Sequence, residues 1–221
     1  MNKTDELWVH ALWEWADENA VPDLQWVDHD SYLKGGYFKG LPRSKEKLLK
    51  LTELNLLGAQ LTELPAEIGN LTHLKRLYLL GNRLTQLPSA IGKLVNLEEL
   101  YLPGNQLSSL PKEIGALKNL KLLLLQENRL TILPRQIGDL ISLTTLELGG
   151  NQLTSLPEEI GKLTTLSKLT LWKNKLTKLP DEIVGLVNLR ELDCIYNRLA
   201  LTKEQVAWLE ALLTKECSVS V

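Results

Sequence analysis

The stretch LEELYLPGNQLSSLPKEIGALKN, residues 97–119, is one of seven successive copies of a 23-residue pattern that runs from Leu51 to Leu199. The copies follow L-x-x-L-x-L-x-x-N-x-L, and their opening leucines are Leu51, Leu74, Leu97, Leu120, Leu143, Leu166 and Leu189. A fixed period of this length, with leucines at the same places in every copy, is typical of stacked-repeat proteins. The sequence therefore predicts one continuous solenoid, because a repeat array lengthens by adding coils and needs no second core.

The first half of each copy has the pattern of a strand with one buried face. In the copy that begins at Leu51, Leu54 and Leu56 alternate with Glu53 and Asn55. This alternation predicts strands whose leucines point inward. One such strand per coil predicts a parallel sheet with strands about 4.8 Å apart.

The second half of each copy reads L-T-x-L-P-x-x-I-G-x-L and predicts a short helical turn or an extended segment on the opposite side of the coil. Proline fixes its own φ and lacks the N–H that would have no partner at the start of such a turn. The glycines that follow four residues later are expected to let the chain turn back; they are Gly69, Gly92, Gly115, Gly138 and Gly161. In the last copy Val184 stands at the glycine place and Gly185 follows it, so we expect a local distortion there.

An asparagine follows each strand at a fixed offset from the second copy onward, at Asn82, Asn105, Asn128, Asn151, Asn174 and Asn197. A side-chain amide has two donor hydrogens and an acceptor oxygen. Stacked asparagines can therefore satisfy the backbone groups where each coil leaves the sheet. We interpret them as structural rather than catalytic residues, and we expect another group to satisfy the backbone at Ala59, which breaks the series.

Residues 1–50 are predicted to form an N-terminal helical cap and a degenerate first repeat. Trp8, Leu12 and Trp15 recur at helical spacing within Asp5–Asn19. An open solenoid exposes the leucines of its first coil, so we interpret these side chains as the core of a cap rather than as an aromatic ligand site.

The stretch Asp23–Gly40 is interpreted as the degenerate coil. Phe38 lies one period before Leu61, and Leu41-Pro42 lies one period before Leu64-Pro65. An eighth, degraded repeat is therefore expected before the seven clear ones.

The seven clear repeats occupy residues 51–200, and residues 201–221 are predicted to form a C-terminal cap. Thr202, with Gln205 three residues later, has the pattern of a capping box. The helix is expected over Lys203–Lys215, and its apolar stripe covers the last coil with Val206, Leu209, Leu212 and Leu213. Alternating residues at the end of the chain, from Cys217 to Val221, predict either one more strand at the sheet edge or a frayed tail.

The composition excludes several classes of function. The 221 residues carry a net charge of -2 with acids and bases interspersed, so we expect no binding to nucleic acid or to a membrane surface. Cys194 and Cys217 are too few for a disulfide framework, and Cys194 replaces an inward leucine and is expected to be a buried thiol. The chain shows neither a secretory h-region nor an apolar run of transmembrane length, so we expect a soluble, cytoplasmic protein.

The repeats resemble leucine-rich repeats of the 23-residue type, which occur in many bacterial proteins and in the plant intracellular Ras-group relatives. The resemblance rests on L-x-x-L-x-L-x-x-N-x-L followed by L-P-x-x-I-G-x-L, and it covers Leu51–Leu199 strongly and Phe38–Lys50 weakly. It implies an α/β leucine-rich repeat solenoid, curved, with a parallel sheet on the concave face that binds other proteins. The family does not imply one particular partner.

The outward positions of the strands carry the candidate binding residues, because the buried leucines specify only the fold. Lateral neighbours on successive strands are expected to merge into one apolar patch, followed by a second cluster toward the C-terminus. The candidate partner-binding residues are Tyr78, Leu80, Tyr101, Pro103, Leu122, Leu124, Glu147, Trp172, Ile195 and Tyr196. Contiguous exposed patches of this kind mark interaction sites, and Tyr and Trp dominate binding energies. Glu147, between the two clusters, is expected to be available to a basic residue of a partner.

The sequence contains no pattern that points to catalysis, a cofactor or a metal site. Asp28-His29-Asp30 has no further His or Cys at ligand spacing, and the glycines of residues 35–40 lack the strand-to-helix setting of a phosphate loop. The sequence therefore predicts a non-enzymatic, monomeric module that binds a protein partner. Two alternatives stay open, namely a structural protein that self-associates through the same face and a host-directed bacterial effector that acts by binding.

Overall fold

The computed structural model describes residues 4–27 and 37–221. Within these ranges the α-helices are α1 Thr4–Glu18, α2 Lys45–Leu49 and α3 Lys203–Leu213. The strands are β1 Gln25–Val27, β2 Tyr37–Lys39, β3 Glu53–Asn55, β4 Arg76–Tyr78, β5 Glu99–Tyr101, β6 Leu122–Leu124, β7 Thr145–Glu147, β8 Lys168–Thr170, β9 Glu191–Asp193 and β10 Ser218–Ser220. None of the helices in the described ranges has the length and hydropathy to cross a membrane.

Eight of these strands form one parallel sheet, in the order β10-β9-β8-β7-β6-β5-β4-β3. Between neighbouring coils the register joins each residue to the one 23 positions later, as in the pair Leu100 and Leu123. The middle residues of β3 to β9 are buried leucines, namely Leu54, Leu77, Leu100, Leu123, Leu146, Leu169 and Leu192. The predicted solenoid is confirmed, with one face of its parallel sheet on the leucine core and the other, concave face toward solvent.

A five-residue 3-10 helix follows the proline of each coil. These helices are Ala66–Asn70, Ser89–Lys93, Lys112–Ala116, Arg135–Asp139, Glu158–Lys162 and Asp181–Gly185. Pro111 is typical, because it precedes its helix with φ -67° and an extended backbone. Its missing N–H therefore removes no hydrogen bond from the helix, and the predicted helical turns on the convex side are confirmed.

The glycine in each 3-10 helix allows the next coil to approach closely. None of these glycines has a positive φ, so the turn itself does not require glycine. A Cβ at Gly115 would lie 2.7 Å from the Cβ of Gln136 in the next coil, far too close for the two coils to stack.

In the last coil, Val184 stands where the other coils have this glycine. The chain after it forms α3 instead of another coil, and Val184 packs against the core. Asp181–Gly185 is a five-residue 3-10 helix like the others. The predicted local distortion is therefore wrong, because a side chain at this place is excluded only where another coil follows.

The third residue after each strand from β3 to β9 has a left-handed backbone conformation. Four of these residues are glycines with φ between +61° and +69°, namely Gly58, Gly81, Gly104 and Gly150. The other three are Glu127, Lys173 and Tyr196, with φ of 53°, 52° and 58°. A residue with a Cβ pays about 1 kcal/mol or more for this conformation. Three coils therefore keep a side chain at a place where glycine would be less strained.

The asparagine ladder joins the backbones of neighbouring coils, as predicted. Asn128 donates from Nδ2 to the carbonyls of Leu102 and Leu125, and its Oδ1 accepts from the N–H of Leu107. Equivalent bonds recur along the ladder from Asn82 to Asn197. In the first coil Ala59 uses its own N–H, which donates to the carbonyl of Leu56 at 3.4 Å.

A second polar ladder, which the sequence analysis did not identify, lies at the opposite ends of the strands. Asn119 donates to the carbonyl of Val95 in the preceding coil at 2.8 Å. Asn96 and Asn188 make the equivalent bond in their coils. These side chains are exposed, so water competes for the same groups and each bond contributes less than one in the buried ladder.

The N-terminal helix α1 covers the first coil with a slightly different face from the one predicted. Leu12 and Trp15 are buried, as expected, whereas Trp8 is only half-buried. Val9 and Ala16 complete the buried face of α1.

Arg43 fastens this cap to the chain that follows. Its guanidinium lies 2.7 Å from Asp17 Oδ1 and 2.8 Å from Asp23 Oδ1. The same group donates to the backbone carbonyls of Trp13 and Val21 at 3.0 and 3.2 Å. One half-buried side chain therefore joins α1 to the segment that leads into β1.

The strands β1 and β2 form an antiparallel hairpin. Phe38 therefore lies in a hairpin strand, which differs from the position that its alignment with Leu61 predicts. The following segment is the α-helix α2, where the clear repeats have a 3-10 helix. Residues 28–36, which include Asp28-His29-Asp30 and Gly35-Gly36, lie outside the described residues, and the degenerate coil stays a prediction.

The predicted capping box at the C-terminal helix is confirmed. Thr202 accepts from the N–H of Gln205, and the Gln205 side chain accepts from the N–H of Thr202. Gln205 also donates to the carbonyls of Leu179 and Pro180 at 3.1 and 3.2 Å, which ties α3 to the last coil. The helix ends at Leu213, two residues earlier than predicted.

The buried face of α3 is only partly the predicted one. Leu209 and Leu212 are buried, but Val206 and Leu213 are exposed, and Trp208 packs into the core instead. Beyond the helix, β10 pairs in parallel with β9, so the predicted additional edge strand is confirmed.

Candidate protein-binding surface

The concave face presents three positions per coil, which are the first and third residues of each strand and the second residue after it. Most of these side chains are half-exposed, whereas Asn55, Gly149 and Thr170 are buried. The half-exposed candidates are Tyr78, Leu80, Tyr101, Pro103, Leu122, Leu124, Glu147 and Trp172. Ile195 is 37% exposed, and Tyr196, at the border of the face, is 77% exposed.

An aromatic pair lies at the centre of the N-terminal half of this face. The rings of Tyr78 and Tyr101 are stacked, with centroids 4.4 Å apart and an angle of 18° between the planes. The hydroxyl of Tyr101 donates to Glu99 Oε2 at 2.7 Å. Burial raises the pKa of both phenols, and for Tyr101 the carboxylate of Glu99 raises the pKa further. Both phenols are therefore neutral donors over the whole neutral pH range.

Apolar side chains extend this pair to one further strand, β6. The sheet register places Leu124 opposite Tyr101, and Leu122 opposite Glu99. Leu80 and Pro103 continue the patch just beyond β4 and β5. We call these six residues, Tyr78, Leu80, Tyr101, Pro103, Leu122 and Leu124, the apolar patch.

The charged groups of the concave face are largely paired with one another. Arg76 lies 2.6 Å from Glu53, and Lys168 lies 3.0 Å from Glu147 and 3.1 Å from Glu191. Burial lowers the pKa of Lys168, but its hydrogen bonds to the two carboxylates outweigh that effect and raise the pKa overall. Lys168 is therefore a fixed cation between two acids.

Glu147 already has partners within the protein. Besides the ion pair with Lys168, its carboxylate accepts a hydrogen bond from the amide of Gln126. Glu147 is therefore already paired in the free protein, and its binding to a basic residue of a partner stays a prediction. The sequence offered no signal for the pairing, because it depends on a diagonal contact between Glu147 and Lys168 on neighbouring strands.

The second candidate cluster consists of Trp172, Ile195 and Tyr196. Its first member, Trp172, reaches further toward the apolar patch than predicted. The indole of Trp172 lies against Gly149 in the preceding coil, so a Cβ at Gly149 would overlap the ring. The carboxylate of Glu127 lies over Gly150 in the same way, with Cδ 2.7 Å from where a Cβ would stand. Trp172 and Glu127 thus cover the two consecutive glycines Gly149 and Gly150 from opposite sides of the coil. Glu127 is a surface residue that the repeat pattern did not single out.

The described residues offer little for chemistry. Burial, helped by Asp193, raises the pKa of the Cys194 thiol to about 12, so this inward cysteine stays protonated and unreactive. Within residues 4–27 and 37–221, no three His, Cys, Asp or Glu side chains are arranged to share a metal ion.

A parallel sheet on a leucine core, with a ladder of asparagines and a half-exposed aromatic surface, defines a repeat solenoid of the interaction type. The chain belongs to the leucine-rich repeat family. A family model described as leucine-rich repeat region matches residues 90–215, and one described as leucine rich repeat matches residues 49–107. Domains of this family are generally modules for protein–protein interaction and are typically not enzymes.

Many solved structures are similar to this chain, including those of two other leucine-rich repeat proteins. One is a leucine-rich repeat protein of Leptospira interrogans, with 36% identity over 76% of this chain and 55% of that chain and a TM-score of 0.42. The other is the ectodomain of the Arabidopsis thaliana receptor kinase GASSHO1/SCHENGEN3 in complex with CASPARIAN STRIP INTEGRITY FACTOR 2, with 34% identity over 69% of this chain, 19% of that chain and a TM-score of 0.64. The chain therefore spans about half of the first protein and about a fifth of the second. Comparison with curated proteins gives no match.

Proposed function

We propose that this protein is a non-enzymatic module that binds a protein partner on its concave face. The observation that carries the proposal is the apolar patch, in which the stacked Tyr78 and Tyr101 continue into Leu124 on the next strand, with Leu122 beside it opposite Glu99. Large aromatic side chains at the centre of a surface dominate binding energy, and contiguous exposed apolar area is typical of interaction sites.

The family supports this proposal at a general level. Leucine-rich repeat domains commonly bind proteins, and the Arabidopsis ectodomain with the same fold was solved in complex with a factor. The fold alone does not select the partner, because the leucines specify the solenoid and the outward side chains specify the recognition.

The test is a pull-down from lysate of the producing organism, read by mass spectrometry, with wild type and Leu124→Glu. The matched control is Ile132→Glu, which places the same charge on a side chain that is 58% exposed outside the concave face. We expect a protein that is retained by wild type and by Ile132→Glu and lost by Leu124→Glu, with circular dichroism showing that all three are folded. A protein retained equally by all three would remove the concave face from the proposal.

The proposal includes a monomer in the cytoplasm, and two alternatives differ from it in what they predict. A structural protein that self-associates through the apolar patch would show a sedimentation coefficient that rises with concentration and falls back in Leu124→Glu. A host-directed bacterial effector would be found outside the producing cell. A monomer at every concentration, detected only inside the cell, agrees with the proposal.

A further inference from the structure

The concave face carries more acidic than basic side chains. The strand positions and the second residue after each strand include five carboxylates, Glu53, Glu99, Glu147, Glu191 and Asp193, against the two cations Arg76 and Lys168. Five against two leaves a net charge of -3 on this face, whereas the whole chain carries only -2. Both cations are already paired with carboxylates of the same face. Positive charge on a partner would therefore complement this face.

Gly149 stands on this face at a position where the six other coils have a side chain. The residues equivalent to Gly149 in the other coils are Leu57, Leu80, Pro103, Gln126, Trp172 and Ile195. Because Gly149 has no side chain, the indole of Trp172 can lie across it from the next coil. Gly150, with φ +69°, leaves the adjoining position open to the carboxylate of Glu127.

The backbone hydrogen bonds hold these two side chains in register. Glu127 N–H donates to the carbonyl of Gly149 at 2.9 Å, and Gly150 N–H donates to the carbonyl of Trp172 at 2.8 Å. Gly149 and Gly150 are consecutive residues, whose Cα atoms are about 3.8 Å apart. The indole and the carboxylate thus lie against two consecutive residues of one coil and come from the coils on either side of it.

The carboxylate of Glu127 has no cation of its own. Within the described parts of the chain, no Lys, Arg or His nitrogen lies within salt-bridge distance of it, and no side-chain hydrogen bond reaches it. Glu127 also has a strained left-handed backbone with φ 53°, where four other coils have glycine. Lys173 and Tyr196 share this conformation, so Glu127 is one of three residues that keep a side chain where glycine would be less strained.

We propose that Trp172 and Glu127 bind the guanidinium of an arginine in a segment of the protein partner. A guanidinium is planar and stacks on an aromatic ring while it donates two hydrogen bonds to a carboxylate, so it fits both groups at once. The pairing of an aromatic ring with a cation adds to the ion pair. The inference rests on the proposed function, since it places the arginine of the same concave-face partner next to the apolar patch.

The test begins with random peptides displayed on phage and selected against the wild-type protein. Each selected peptide is synthesised with arginine, with lysine and with citrulline, the uncharged isostere of arginine. The peptides are titrated by calorimetry against wild type, Glu127→Gln, Gly149→Ala and Leu124→Glu. Glu210→Gln is the matched control, because Glu210 is an exposed residue of α3 and not of the concave face.

We expect selected peptides to contain arginine and to bind about fivefold more weakly after the change to citrulline or with Glu127→Gln, as for a partly exposed ion pair. The two changes together should weaken binding no further than either alone, because they remove the same contact. Gly149→Ala, whose Cβ displaces the indole without removing it, should weaken the arginine peptide more than the citrulline peptide. Glu210→Gln should leave binding unchanged.

The outcomes separate this inference from the proposed function. Peptides that are lost with Leu124→Glu but are insensitive to citrulline and to Glu127→Gln would overturn the arginine site and leave the concave-face proposal intact. Peptides insensitive to Leu124→Glu, or a selection that yields no binder, would overturn both. Equal effects of Glu127→Gln on arginine and citrulline peptides would assign Glu127 a structural role and also overturn the arginine site.

Discussion

The two faces of the parallel sheet are built from the same strands but follow different rules. On the inner face, β3 to β9 repeat one buried leucine at every middle position, and the buried asparagines repeat the same bonds from coil to coil. On the concave face, no two neighbouring coils present the same three side chains. The difference shows that stacking constrains the side chains that pack against the next coil inside the solenoid. The side chains of the concave face are not constrained in this way and are free to specify a partner.

The sharpest way to test this contrast is to truncate two adjacent leucines of β6. Leu123 is fully buried, so Leu123→Ala should lower the free energy of unfolding by about 3 kcal/mol, the usual cost of a buried leucine and its cavity. Leu124 is half-exposed, so Leu124→Ala should cost less than about 1 kcal/mol. Urea denaturation followed by circular dichroism measures both. Equal costs would mean that the concave face is part of the core.

The two asparagine ladders offer a second test, with a slightly smaller effect. Asn128→Ala leaves the N–H of Leu107 without its buried partner, whereas the carbonyls of Leu102 and Leu125 each keep a second asparagine donor, Asn105 and Asn151. We therefore expect a loss of about 2 kcal/mol. Asn119→Ala removes one exposed bond to Val95 and should cost about 0.5 kcal/mol. Hydrogen exchange should show faster opening around Leu107 in the first variant. A similar cost for both variants would contradict the assignment of the inner ladder as structural.

A third test addresses the close approach of the coils on the convex side. Gly115→Ala places a Cβ 2.7 Å from the Cβ and the carbonyl oxygen of Gln136, and we expect overpacking to cost about 1–3 kcal/mol. Val184→Ala, at the same place in the last coil, only trims a half-buried side chain and should cost about 1 kcal/mol. If Gly115→Ala is neutral by thermal melting, glycine is not required for coil stacking.

The smallest expected effect has the opposite sign. Glu127→Gly relieves a left-handed backbone and should stabilise the protein by up to about 1 kcal/mol. Gly104→Ala is the reverse experiment, because a Cβ there meets nothing closer than 3.7 Å and introduces only the backbone strain. It should destabilise by about the same amount. A destabilised Glu127→Gly would show that Glu127 contributes to the fold instead of being maintained for recognition.

Most of the fold could be predicted because the period of the sequence and the period of the structure are the same. Each repeated leucine or asparagine has an equivalent partner in the next coil, so the structure predicted for one coil applies to the others. The capping box at Thr202 was predictable for a similar reason, since its two partners lie three residues apart. The N-terminal region was less predictable, because Arg43 binds residues 20 to 30 positions away that no repeat defines.

The candidate surface was predictable in position but not in its interactions. Alternation along each strand placed Tyr78, Tyr101 and Leu124 on one face. It could not show that Glu147 is paired with Lys168, because that contact depends on how long side chains bend between neighbouring coils. It also could not reveal the left-handed conformation at Glu127, since the residue type there differs from the glycine that this backbone favours.

The glycines of the convex helices have a consequence for how such arrays grow by duplication. A coil copied between two internal coils finds a glycine on either side and can stack at once. A coil added after the last one would have to stack on Val184, which has a side chain at the place where the earlier coils have glycine. Duplication inside the array therefore keeps the close stacking of the coils, whereas a coil added after the last one would be crowded by Val184.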